Sequence, residues 1–165
     1  MRMELIQPFI NAADAVLSET LACPVSISDI SMDEEANRRR ASAVLIEISG
    51  DIEGRIIFDA EDSVALRVAA TISGVADVQH DPQLVREAVA ELANLVIGNA
   101  VTALNDQGFR FKVHPPVQHE DEQGFRGNED TEALVMDFAS EAGNVCLDIA
   151  MRYNRRRRAD ASTNN

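Results

Sequence analysis

Residues 81–108 read DPQLVREAVAELANLVIGNAVTALNDQG, and this stretch decides the architecture. Asp81 is a helix-capping residue type, Pro82 suits the first helical position and Gly108 is a natural stop, so the spacing predicts one helix over 82–107. At 100° per residue, Val85, Ala88, Val89, Leu92, Val96 and Ala103 gather within about a third of the circumference, a stripe expected to pack on a sheet. On the opposite side lie Glu87, Glu91, Asn94 and Gly98, spaced 4, 3 and 4 apart, which stacks them in one solvent-facing row. Two of these are poor helix residues: relative to Ala, Asn94 is less favourable by about 0.7 kcal/mol and Gly98 by about 1 kcal/mol. The pair makes sense on a face that something must approach closely, because the glycine removes bulk and the amide offers both a donor and an acceptor. Ile97 and Val101 flank the row and are expected to give a partner apolar contact. The same string also fits an ordinary solvated helix face, since Glu-x-x-Asn is common by chance.

Working outward, residues 3–21 read as an amphipathic helix, with Ile6, Phe9, Ile10, Ala13, Val16 and Leu17 on one face and Pro8 in the opening turns. A strand is expected at 25–30, a charged loop at 33–40, and a hairpin of strands 43–49 and 52–58 across Gly50-Asp51. A second helix is expected at 61–73, with Asp59 or Glu61 near its start and Gly74 just past its end. After the long helix come strands at 109–113, 133–139 and 145–153, the last two joined by a turn at Gly143-Asn144. Residues 117–131 read as an acidic loop and 154–165 as an Arg-rich tail. The order predicts an α+β fold: a single layer of mainly antiparallel strands, about six, covered by about three helices. It divides the chain into one domain at 1–153 and the tail at 154–165.

Length and composition agree with one domain. The chain has 165 residues, 45% of them hydrophobic and only 4% aromatic, so aliphatic side chains must fill the core. The 15 Lys+Arg stand against 28 Asp+Glu, a formal charge of −13, which argues against nucleic-acid binding. Four of the cations, Arg155 to Arg158, sit in the tail and read as solvated. Cys23 and Cys146 lie far apart in apolar surroundings, as buried thiols of a reducing compartment would. No run of 18 apolar residues and no leader pattern is present, so a cytoplasmic protein without a membrane span is expected. His80, His114 and His119 share no ligand spacing, and the acidic runs at 33–35 and 120–122 read as charged loop, so no metal site is expected in this chain.

Four segments in register resemble the CheX-type chemotaxis phosphatases of the CheC/CheX family. They are the helix start at residues 6–13, IQPFINAA; the hairpin at 49–54, SGDIEG; the row-bearing segment at 87–100, EAVAELANLVIGNA; and the strand at 108–116, GFRFKVHPP. The resemblance covers about residues 4–153. It implies a CheC/CheX-like fold and a phosphatase that hydrolyses the aspartyl-phosphate of a CheY-like response-regulator receiver domain. By this resemblance Asn94 orients the attacking water and Glu91 pairs with the receiver's lysine. The Mg2+ and the phosphorylated aspartate then belong to the receiver, and this chain binds no cofactor of its own. Glu87 stands where the related CheC pattern has Asp or Ser, so it departs from that pattern. Only one such motif is found, which favours the CheX side, and that side implies a homodimer formed through the sheets. The competing function is a non-catalytic receiver-binding adaptor in a two-component or chemotaxis pathway. The two differ in whether a phosphorylated receiver loses its phosphate faster when the protein is added.

Overall fold

A computed structural model describes residues 3–31, 42–118 and 132–154. The expected charged loop at 33–40, most of the acidic loop at 117–131, His119 and the Arg155 to Arg158 tail lie outside the described residues. The elements run α1 (Met3–Leu21), β1 (Val25–Ser31), β2 (Ser42–Gly50), β3 (Ile52–Ala60), α2 (Asp62–Ser73), α3 (Pro82–Asp106), β4 (Phe111–Val113), β5 (Val117–Gln118), β6 (Glu132–Ser140) and β7 (Gly143–Tyr153). The strands form one antiparallel sheet in the order β1-β6-β7-β3-β2-β4, with β5 also paired to β2. This is the expected α+β layer, with one strand more than the sequence suggested. The extra strand is two residues long. It continues along β2 after His114-Pro115-Pro116, where the prolines interrupt the ladder by removing donors.

One core joins the helices to the inner face of the sheet. Ile6, Phe9 and Leu17 of α1, Val64 and Val68 of α2, and Leu92, Val96 and Ile97 of α3 meet Ile46, Ile56, Phe58, Met136, Leu147 and Ile149. Every one of these side chains is at most 1% exposed, so the inner layer is dry and largely aliphatic, as the low aromatic content requires. By length and composition α3 is a helix that could cross a membrane. Here its apolar side is committed to the core and its other side carries Glu87, Glu91 and Asn94.

Two local expectations are corrected. The turn joining β6 and β7 is Glu141-Ala142, not Gly143-Asn144, and Gly143 instead opens β7 opposite Ser140. Ser140 Oγ holds this turn, accepting from Ala142 N at 3.2 Å and donating to Gly143 O at 2.8 Å. Gly143 is required for a different reason: at φ +132° a Cβ would lie 2.5 Å from Ser63 Oγ and 2.9 Å from Glu61 Oε2. The N-terminal end of α2 therefore presses against the start of β7, and Glu61 Oε2 accepts from Asn144 N at 3.2 Å. In β1, the expected alternation is broken by a register shift between Ile27 and Asp29, which leaves Ile27 and Ile30 exposed on the sheet edge.

Candidate functional site

The long helix is built as its sequence dictates. Asp81 caps it, its side chain accepting from Leu84 N at 3.1 Å, and Pro82 occupies the first turn. At the far end Arg110 Nη1 donates to Asn105 O at 3.1 Å, and Asp51 of the β2–β3 turn exchanges two hydrogen bonds with the Arg110 backbone. Both ends of α3 are thus tied down, and the side chains between them project from a fixed rod.

The buried arc of α3 is wider than the sequence stripe. Ala88, Val89, Leu92 and Val96 are buried as expected, Val85 and Ala103 are half-buried, and Ala93, Ile97, Ala100 and Leu104 are buried as well. The reason is that α3 packs against both α1 and α2 as well as the sheet, so about half its circumference is covered. This corrects the role expected of Ile97: it is fully buried in the core and offers no surface to a partner. Val101 is half-buried against the core.

The outward row is as expected: Glu87, Glu91, Asn94 and Gly98 are all exposed. Their surroundings separate them. Glu87 Oε1 accepts from Gln83 Nε2 at 3.0 Å, and Gln83 in turn accepts from Arg86. Neither Glu91 nor Asn94 makes a side-chain hydrogen bond or ion pair to any described residue. The row therefore holds a carboxylate and a carboxamide, three residues apart, with their polar atoms uncommitted. Leu95, next to Asn94, is 44% exposed. The sequence reading missed it. The signal was present, since at 100° per residue it lies about 40° from Glu91, on the rim of the row.

Other candidate residues fall into structural contacts. His114 Nε2 lies 2.9 Å from Ser49 Oγ, and His80 pairs with Asp77 at 3.7 Å on the surface. Cys23 and Cys146 are both buried and are not joined in a disulfide. Among the described residues no three His, Cys, Asp or Glu side chains converge on a metal-sized site. On the outer face of the sheet, the sequence reading also missed a buried ion pair: Arg55 Nη1 and Asp148 Oδ2 are 3.5 Å apart, with the side chains 7% and 1% exposed.

The chain as a whole is similar to known proteins. The family model for the chemotaxis phosphatase CheX matches residues 42–139, more than half of the chain. Among solved structures, a CheC-like superfamily protein from Shewanella sp. PV-4 is 21% identical with a TM-score of 0.79, over 92% of this chain and 99% of that one. The chemotaxis protein CheX from Vibrio vulnificus is 22% identical with a TM-score of 0.78, over 90% and 99%. A chain of the CheX–CheY–BeF3–Mg2+ complex from Borrelia burgdorferi is 29% identical with a TM-score of 0.73, over 92% and 99%. No curated protein matches the chain significantly.

Proposed function

The chain belongs to the CheX family of chemotaxis phosphatases, and from that premise we propose that it accelerates hydrolysis of the aspartyl-phosphate on a CheY-like receiver domain. The observation that carries this reading is the uncommitted pair on α3: Asn94 and Glu91, exposed and without a partner among the described residues. The related chain in complex with CheY supports a receiver domain as the partner.

Hydrolysis of an acyl phosphate needs a water molecule held in line with the breaking P–O bond, and little covalent help. The Asn94 carboxamide can accept a proton of that water in a hydrogen bond through its oxygen and donate to a phosphoryl oxygen through its nitrogen. It does so without changing its own protonation state. The water oxygen bonds to phosphorus, the aspartate carboxylate leaves, and inorganic phosphate is released. Glu91, one turn before, pairs with the receiver's lysine and fixes the register of the two proteins. The divalent cation of the reaction is the receiver's, and no step runs through a metal held by this chain. Dimerisation through the sheets is proposed on family grounds alone.

The test is the lifetime of phosphorylated receivers from the same genome, each measured with and without the protein. The expected result is a shortened lifetime for at least one receiver, lost on Asn94→Ala substitution without any fall in the melting temperature. Binding to a receiver without any change in its lifetime would replace the enzyme with an adaptor.

A further inference from the structure

Glycine in the middle of a helix is explained within a chain by one of two needs: a backbone angle other residues avoid, or a neighbour too close for a Cβ. Gly98 meets neither. It sits inside α3, is not among the residues with positive φ, and is exposed. A Cβ built on it meets nothing within 4 Å, whereas one built on Gly143 meets Ser63 Oγ at 2.5 Å. Its helix-propensity penalty therefore has no compensation among the described residues.

The surroundings give this bare position a shape. Asn94, Gly98 and Thr102 follow one another at four-residue spacing on the outer side of α3. Thr102 Oγ1 folds back onto Gly98 O at 3.0 Å, so the hydroxyl stays down against the helix. Leu95 stands 44% exposed on the rim beside Asn94. Gly98 thus presents bare backbone to solvent one turn beyond the carboxamide.

We propose that Gly98 is the point of closest backbone approach between α3 and the receiver domain, and so sets how deeply Asn94 reaches into the receiver's phosphorylation site. The inference rests on the reading under Proposed function and is continuous with the Glu91–Asn94 face assigned there. A methyl group at position 98 would hold the receiver off by an ångström or so, and a misplacement of about 1 Å can lower a rate by about a hundredfold. Gly98 is thus a positioning residue: it touches no reacting atom and acts through Asn94.

Stability and activity must then move in opposite directions. Gly98→Ala and Gly98→Leu both introduce better helix formers into open space, so both should raise the melting temperature, by about 3 °C for Gly98→Ala. Against the receiver selected from the genome panel, phosphorylated with phosphoramidate and Mg2+, Gly98→Ala should lower kcat by about a hundredfold. Gly98→Leu should remove the acceleration. Wild type and Asn94→Ala run alongside. If wild type shortens the receiver's lifetime and Asn94→Ala does not, yet Gly98→Leu matches wild type, this inference alone is overturned. A lower melting temperature for Gly98→Ala also overturns it, because the glycine would then serve the chain's own packing. If wild type shortens no receiver's lifetime, the phosphatase reading falls and takes this one with it.

Discussion

Two polar pairs on this molecule stand in opposite circumstances. Glu91 and Asn94 on the outer side of α3 are exposed and make no hydrogen bond to a described residue. Arg55 and Asp148 on the outer side of the sheet are buried and paired with each other. A buried charge must be matched, so Arg55 and Asp148 answer to each other and to the fold. An exposed pair in water owes the fold nothing, and its residue types are free to be chosen for a partner. The contrast teaches where to look for function in this domain: on the face whose polar atoms the described residues leave unused.

The comparison can be broken at either end. Asp148→Ala removes the carboxylate that lies 3.5 Å from the buried Arg55 guanidinium and should cost about 3–5 kcal/mol of stability, read from the urea midpoint. The double substitution Arg55→Met with Asp148→Leu should recover most of that loss. If Asp148→Ala costs under about 1 kcal/mol, the pair behaves as a surface pair and the contrast fails. Asn94→Ala should reduce receiver dephosphorylation by about a hundredfold, equivalent to about 2.7 kcal/mol of barrier, with no loss of stability. Equal activity in wild type and Asn94→Ala would remove the exposed pair from the mechanism. Glu91→Ala should raise KM on the order of tenfold and leave kcat closer to wild type, which steady-state kinetics on the phosphorylated receiver would separate. Asp81→Ala, which touches only the cap of α3, should cost about 1 kcal/mol and lower the melting temperature by about 3 °C. Its activity at temperatures well below melting should match wild type.

Much of this was legible in the sequence. Local signals with a single physical meaning were reliable: Asp81-Pro82 opened α3, Gly74 closed α2 in the left-handed conformation, and Gly50-Asp51 turned β2 into β3. The solvent row on α3 was also legible, because helical spacing alone separates it from the core. What escaped depended on neighbours distant in sequence. Ile97 looked like a flank of the row until a second packed helix covered it. The Gly143-Asn144 pair looked like a turn, but the glycine answers to α2, about 80 residues earlier. Arg55 alternates on β3 with Glu53 and Asp59 as any polar strand face would, and only the paired register with β7 brings it to Asp148. The two-residue β5 carries too little pattern to be seen at all.

The anchoring of α3 at both ends has a consequence for how a cell would use such a protein. The Asp81 cap and the Asp51–Arg110 brace leave the helix no hinge to swing on, and its carboxamide carries no charge to titrate near neutral pH. Under the reading proposed, the described residues give α3 no off position: the duration of each signalling pulse would follow the number of copies present, making expression level the dial.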